Sequence, residues 1–551
     1  MMKKTFILTA CTAVPVVAGC SKQQPERPNI VMIVADDMGF SDLGCYGSEI
    51  STPNIDALAE KGLRYSQFYN CARSWPTRAS IMTGYYYQSV LRSSAENRPE
   101  GWSRAIPHYL RTAGYRTYLS GKWHVVEMPN PCADAGFDRS YVTGYMLGQY
   151  TPKEIVDDKP VEVSAEGYDQ ATAMTERAID MLRAHKADHA AEPFFLYLTY
   201  TSPHFPLHAP QEEIDKYKDR YKDGWDALRT RRLEGLRRTG IADCAIDTME
   251  SRARWRYQSD AFIRGCLGPG EVFEARPWDT LTEEQKAFQS MKMSIHAAMV
   301  DRMDQEIGRV MAELRKNGQL ENTLVIFFSD NGASAEIIVR GDGHDPEARM
   351  GSKETHLCLG PGFATAANTP LRRSKIWVHE GGISTPMVVS WPKGIKARGE
   401  VRHAPAHVVD LLPTLLELAG GIDPAAVCGS TYPPLHGVSF TPTFRADVPL
   451  ERDHIYFNHE GNYALRQGEW KIVSSEIDGK VWSLYNVVED RGETRDLTSA
   501  DPARLERMAA RWNDLTAQYR AQNPHPTKQQ LIDGFAAHDT PQVNAVLNKR
   551  K

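Results

Sequence analysis

The sequence predicts an α/β protein built on a large, mostly parallel sheet sandwiched by helices, with a smaller C-terminal antiparallel sheet plus helix. Three observations carry that reading. Short β-branched or aromatic runs without alternation recur between residues 29 and 390, as expected of strands covered on both faces. Helical patterns separate these runs. From about residue 450 the runs become short and alternating, joined by turns such as Glu460-Gly461-Asn462 and Asp478-Gly479.

Taken in order, the buried runs are Asn29–Ala35, Tyr115–Leu119, Phe194–Thr199, Thr323–Phe328 and Pro386–Ser390, all expected to run parallel. Thr52-Pro53 opens a helix with an N-cap and a first-turn proline, and Gly62 ends it. Gln285–Asn317 reads as a long amphipathic helix closed by Gly318. The C-terminal strands are placed at His454–Asn458, Tyr463–Arg466, Trp470–Ser474 and Val481–Tyr485, followed by a helix at Pro502–Arg520. Polar residues follow the buried runs: Asp36-Asp37 the first, Lys122 and His124 the second, His204 the third, Asp330-Asn331 the fourth. Ligands of open α/β sheets gather beyond the carboxyl ends of the strands, so independent segments deliver charge to one rim.

A chain of 551 residues is too long for one small core and implies a large domain plus a smaller one. Its 41% hydrophobic and 25% charged residues fit a globular protein, and a formal charge of −5 gives no drive toward nucleic acid. Lys3 and Lys4 precede Phe6–Ala18, an apolar stretch too short to span a bilayer. Val17-Ala18-Gly19-Cys20 resembles a bacterial lipobox, which would leave Cys20 as a lipid-modified N-terminus. Leu8-Thr9-Ala10-Cys11 fits less well because almost no apolar core precedes it, and an ordinary secretory signal is the alternative. The expected product is exported and lipid-anchored, in the periplasm or at the outer membrane or cell surface. It would meet the lipoprotein processing machinery, and touch membrane only through its anchor. The domain reading is a signal peptide at 1–19, a linker at 20–27, a main domain at 28–449 with an insertion at 211–284, a C-terminal subdomain at 450–521 and a tail at 522–551. Within the insertion, Arg229–Arg232 and Arg237-Arg238 read as a solvated helix face in preference to a basic patch for an acidic glycan. The remaining cysteines form no C-x-x-C zinc pattern, and their connectivity is not readable.

Ser74-Trp75-Pro76-Thr77-Arg78 resembles the signature of the type I sulfatases of the alkaline phosphatase superfamily, in which a Cys or Ser is oxidised to formylglycine. Cys71 is the competing precursor, but Arg73 and Trp75 stand where that signature needs Pro and Arg. Ala35-Asp36-Asp37-Met38-Gly39, Gly121-Lys122-Trp123-His124, Pro203-His204, Ser329-Asp330-Asn331-Gly332 and Glu380-Gly381-Gly382 extend the resemblance over roughly residues 28–520. Thr77 replaces the serine common at its place in that family. Asp36, Asp37, Asp330 and Asn331 offer only oxygen ligands, which suits a hard cation, and the resemblance assigns them, with the modified Ser74, to one Ca²⁺. A helix over Thr77–Thr83 would put position 74 near a helix N-terminus, which favours anions.

The resemblance further implies that Arg78 steadies the hydrated aldehyde and that Lys122 and Lys375 bind sulfate oxygens. His204 would protonate the leaving alcohol with Lys375 assisting, and His124 would take a proton from the sulfated intermediate. Lys375 is chosen over Lys353 and Lys393 because it precedes the Glu380-Gly381-Gly382 turn. The implied activity is a sulfuric ester hydrolase of the arylsulfatase type, acting on an O-sulfated sugar of a glycan. Its implied partners are that sulfated carbohydrate and a serine-oxidising maturing enzyme. Two alternatives stay open: a phosphonate or phosphate monoester hydrolase on the same fold, and a non-catalytic glycan-binding lipoprotein.

Overall fold

The structure is a computed structural model that describes residues 27–90, 103–126, 128–144, 148–246, 249–250, 257–339, 343–429 and 432–522. The expected signal peptide, Cys20 and the tail beyond Gln522 lie outside the described residues. Eleven strands form the large sheet: β1 (Asn29–Ala35), β2 (Leu63–Tyr69), β3 (Arg116–Gly121), β4 (Arg139–Thr143), β5 (Glu154–Val156), β6 (Lys159–Val161), β7 (Phe194–Thr199), β8 (Thr323–Ser329), β9 (Ser384–Ser390), β10 (Glu400–Arg402) and β11 (Ala406–His407). Their spatial order is β10-β2-β9-β8-β1-β7-β3-β4-β5-β6, with β11 also on β2.

The central strands are apolar at nearly every position because both faces are covered. Val31, Ile33 and Ala35 of β1 join Leu196, Leu198, Val325 and Phe327 on one face. There the helices Gln170–Asp188 and Glu283–Lys316 cover them. Ile30, Met32 and Val34 point the other way, onto Ile81 and Met82 of the helix Ser74–Thr83 and onto Leu411–Leu418. Among the described residues no helix is long and apolar enough to cross a membrane.

Several expectations need correction. The strand expected at Pro386–Ser390 is β9, and it runs antiparallel to both neighbours, β2 and β8. β2 itself was not expected, because Arg64, Ser66 and Gln67 interrupt its apolar run. The Arg64 guanidinium is spent on the carbonyls of Cys45 and Gly399, both at 2.9 Å. Thr52 precedes the helix Pro53–Glu60 but does not cap it; its hydroxyl accepts from Gly44 N at 2.8 Å and donates to Asp56 at 2.9 Å. The solvated-face reading holds for Arg231, Arg237 and Arg238, which are exposed, but not for Arg229 and Arg232: Arg232, on the helix Gly224–Arg238, is 1% exposed. It reaches Asp42 at 2.6 Å and Glu49 at 2.9 Å, and His296 holds the second Asp42 oxygen at 3.0 Å. Cys45, Cys71, Cys132, Cys244, Cys266, Cys358 and Cys428 are all free thiols.

The second sheet is a meander of β12 (Ile455–His459), β13 (Asn462–Gln467), β14 (Trp470–Ser474) and β15 (Trp482–Asn486), all antiparallel. Tyr456, Leu465, Ile472 and Leu484 pack on Met508, Trp512 and Leu515 of the helix Pro502–Gln522. Alternate residues, Phe457, Ala464 and Val473, face the main domain through Tyr69, Val378 and Ile383. Period-two alternation thus divides each strand between its own helix and the larger domain.

Candidate active site

One rim of the large sheet collects the candidate residues. β1, β3, β7 and β8 are mutually parallel, so the residues just after them, Asp36-Asp37, Lys122 and His124, His204 and Asp330-Asn331, emerge together. β9 reverses direction, so the loop before it opens on the same rim and delivers Lys375. β2 reverses again and hands the chain to the helix Ser74–Thr83 from that rim. Gly332 and Gly381 permit the last approach: a Cβ on Gly332 would lie 1.8 Å from the Gly381 carbonyl oxygen.

Ser74 is the first residue of its helix, and Ala72 turns the chain into it with φ 64°. Pro76 costs nothing there, because first-turn amides have no partner within a helix. Thr77 donates no charge but accepts the Cys71 amide at 3.0 Å, which holds the loop before Ser74. Cys71 itself is buried, and its Sγ lies 3.4 Å from Ser80 Oγ; burial pushes its thiol up to about 12. Asp37 and His124 also sit in the left-handed region, at φ 66° and 50°, which is costly for residues with a Cβ and common where function fixes the backbone.

The Ser74 hydroxyl is held from two sides. Arg78 Nε donates to Ser74 Oγ at 3.0 Å and to Asp330 Oδ2 at 3.0 Å, and His124 Nδ1 lies 3.2 Å from the same hydroxyl. Lys122 Nζ donates to Asp36 Oδ2 at 2.6 Å, and Lys375 Nζ to Asp37 Oδ2 at 2.9 Å. His204 Nε2 stands 3.6 Å from Asp37 Oδ2. Asn331 Nδ2 donates to Asp37 Oδ1 at 2.6 Å. Three buried acceptors are left over: Asp36 Oδ1, Asp330 Oδ1 and Asn331 Oδ1 have no hydrogen-bond partner among the described residues. Orphaned oxygens of a carboxylate–amide set are the donor chemistry of a hard cation, so these residues fit calcium. Asp36, Asp37 and His204 also bring ligand atoms within 4.8 Å of one another. The orphaned oxygens of Asp330 and Asn331 favour the all-oxygen set.

Burial dominates the electrostatics. It pushes Asp36 and Asp37 up, against the opposing pull of Lys122 and Lys375 respectively. Burial also pushes Asp330 up, but Arg78 and Lys122 outweigh it and hold that carboxyl down. Lys122 is pushed down by burial more than Asp36 raises it. Burial, then Lys122 and Arg78, drives His124 well below the usual imidazole range, and burial with Lys375 brings His204 to about 3. Both histidines are therefore neutral before an anion arrives.

Ser74, Arg78, Lys122, His124, His204, Lys375, Asp36, Asp37, Asp330 and Asn331 all lie in this cluster, while Cys20 lies outside the described residues. Lys353 and Lys393, the rivals of Lys375, are exposed at the surface. Sequence reasoning put the loops at 333–367 and around His459 at the pocket without assigning contacts, and so did not single out Glu336, which pairs with Lys375 at 3.0 Å, or Arg73, which binds Glu460 at 2.6 Å and the Tyr257 hydroxyl at 2.8 Å. Arg73 was discoverable, since it adjoins Ser74. Nothing in the spacing of Glu336 or Tyr257 signals them.

A rim of oxygen ligands, paired lysines and a helix-end hydroxyl beside a histidine defines a hydrolase for esters of tetrahedral oxyanions. The chain belongs to the sulfatase family: the family model described as Sulfatase matches residues 28–422, and N-sulphoglucosamine sulphohydrolase, C-terminal, matches 373–519. It is a sulfuric ester hydrolase. An uncharacterized sulfatase of Schizosaccharomyces pombe is 31% identical over 540 residues, covering 89% of this chain and 93% of its own. The arylsulfatase of Klebsiella aerogenes is 30% identical, covering 79% of this chain and 96% of its own. Among solved structures, Ps i-CgsB in complex with k-i-k-neocarrahexaose shares the fold with TM-score 0.64 and 23% identity, covering 94% of this chain and 99% of its own.

Proposed function

We propose that this sulfatase removes the sulfate of an O-sulfated sugar, using a formylglycine made from Ser74 and one calcium ion. The observation that carries the reading is Ser74 Oγ, held at 3.0 Å by Arg78 and at 3.2 Å by His124 beside three orphaned acceptor oxygens. Asp36, Asp37, Asp330, Asn331 and the modified residue 74 would hold the calcium, which when bound supplies positive charge to a sulfate oxygen. The hydrated aldehyde at position 74 supplies the nucleophilic oxygen.

The chain's own groups do the rest. Lys122 and Lys375 neutralise sulfate oxygens, and Arg78 fixes residue 74 against Asp330. His204 delivers a proton to the alcohol oxygen as the S–O bond breaks and its electron pair departs. The anionic ester opposes the nearby Lys375 charge and draws the His204 pKa back up toward that task. His124, at 3.2 Å from Ser74 Oγ, is placed to take a proton from residue 74 so that sulfate can leave.

Sugar substrates are supported by relatives: an N-acetylglucosamine-6-O-sulfatase of Bacteroides thetaiotaomicron is 25% identical, covering 94% of this chain and 91% of its own. The phosphonate monoester hydrolase of Agrobacterium radiobacter shares the fold with TM-score 0.54 and 19% identity, covering 90% of this chain and 96% of its own, so fold alone does not separate the two activities. Turnover of aryl sulfate beside aryl phosphate does separate them, and a dominant phosphatase rate would sink the reading. The modification is tested by the mass of the peptide containing residue 74 from the native host. Loss of two hydrogens is expected; unmodified serine throughout would defeat the mechanism. Making the aldehyde removes two protons and two electrons from serine, so a maturing enzyme that accepts them before export is an obligatory partner. We also assign Cys20 as the lipid anchor that places the enzyme in the periplasm or at the outer membrane or cell surface. Radiolabelled palmitate should enter the wild type and not Cys20→Ala.

A further inference from the structure

A second group of polar side chains adjoins Ser74 through Arg73 and Lys375 through Glu336, and the mechanism uses none of them. Arg73, the residue before Ser74, donates to Glu460 at 2.6 Å and to the Tyr257 hydroxyl at 2.8 Å. Glu336 reaches Lys375 at 3.0 Å and accepts from Ser334 at 2.9 Å. His459 packs with its ring 6.1 Å from Trp75 and is 1% exposed. Neither His459 ring nitrogen has a hydrogen-bond partner among the described residues; Glu460 Oε1 is 3.6 Å from Nε2. A polar ring so deeply buried is costly to leave unpaired, and it points to a ligand that supplies the missing bonds.

The balance of charge here differs from the sulfate side. Lys375 divides its charge among Asp37, Glu336 and the sulfate. Apart from that shared ammonium, two carboxylates, Glu336 and Glu460, face one guanidinium, Arg73. Burial works against ionisation of both acids, but Lys375 and Arg73 outweigh it for Glu336, and Arg73 and His459 for Glu460. Ionised carboxylates only accept hydrogen bonds, and a sugar hydroxyl donates one while its lone pairs face Arg73 or Tyr257. A second anion on the substrate would instead meet two like charges in a largely dry site.

We propose that Arg73, Tyr257, Glu336, His459 and Glu460 bind the alcohol half of the ester and select an uncharged sulfated sugar over a sulfated uronic acid. The inference rests on the sulfatase reading above and narrows its substrate. The test uses the full chain matured in a serine-oxidising host, with 4-nitrophenyl sulfate, N-acetylglucosamine 6-sulfate and glucuronic acid 2-sulfate as substrates. The neutral sugar should exceed the uronate in kcat/KM by at least about tenfold. Glu460→Gln should narrow that ratio by at least about threefold, because it removes one of the two repelling charges. Turnover of 4-nitrophenyl sulfate with a uronate preference, or with a ratio unmoved by Glu460→Gln, overturns the inference alone. No turnover of any sulfate overturns the mechanism beneath it. Should Glu460→Gln fail to fold, the wild-type ratio decides by itself.

Discussion

Two clusters of buried charge lie on either side of the Glu380-Gly381-Gly382 turn, and they are satisfied in opposite ways. In the first, Glu380 accepts from Lys471 at 2.8 Å, from Arg491 at 2.8 Å and from the Tyr69 hydroxyl at 2.9 Å. Glu493 accepts the Glu380 amide at 2.8 Å and pairs with Lys471 at 2.9 Å. Glu493 Oε1 has that ion pair but no aligned hydrogen bond; otherwise the cluster closes on itself, and it fastens the C-terminal sheet to the main domain. In the second, Asp36, Asp330 and Asn331 each keep an oxygen without a partner. Burying charge costs much the same in both places. What differs is who completes the network: the protein's own side chains in one and, under the calcium proposal, a guest in the other. A buried polar group that the fold leaves unanswered is therefore the better guide to function than a buried ion pair.

The largest effect expected on this comparison is at the guest-dependent cluster. Ser74→Ala should lower kcat by roughly 10⁴-fold or more while leaving the melting temperature unchanged. A matching loss of stability would place Ser74 among the self-satisfied groups instead. Next comes Lys471→Met, which strands Glu493 and weakens the hold on Glu380. It should cost about 3–5 kcal/mol in denaturant unfolding, as breaking one side of a buried pair does. A cost below about 1 kcal/mol would show that water already reaches the cluster. Third, calcium at a hundred times its dissociation constant should stabilise the matured protein by about 2.7 kcal/mol, read as a rise in melting temperature that chelation reverses. Magnesium giving the same rise at the same concentration would count against an all-oxygen site sized for calcium.

How much of this was legible in the sequence follows from the range of the forces involved. β1, β7 and β14 are recognisable because burial on one or two faces writes itself into consecutive residues: Asn29–Ala35, Phe194–Thr199 and Trp470–Ser474 match the structure residue for residue. Direction is not written locally. β9 looks like the parallel central strands because it is buried as they are, yet only its antiparallel course brings Lys375 to the rim. Asp36-Asp37, Lys122 and Asp330-Asn331 converge as expected, since each directly follows a strand. Arg232 was misread because charge in a helix is ordinarily solvated, and its partners Asp42 and Glu49 lie more than 180 residues away. Glu336 and Tyr257 were invisible for the same reason: long-range pairing leaves no mark on spacing.

The smallest effect belongs to the boundary between the two kinds of cluster. Thr77 departs from the serine common in the signature, yet its hydroxyl does structural work by accepting the Cys71 amide at 3.0 Å. Ser can make the same bond, so Thr77→Ser should move stability by less than about 0.5 kcal/mol. Thr77→Ala leaves a buried amide without its acceptor and should cost about 1–3 kcal/mol. Because that amide precedes Ser74 by three positions, the same variant should also lower kcat, and kcat should be restored in Thr77→Ser. An unchanged kcat in Thr77→Ala would mean that Arg78 and His124 alone position residue 74, and that the loop before it contributes stability without contributing alignment.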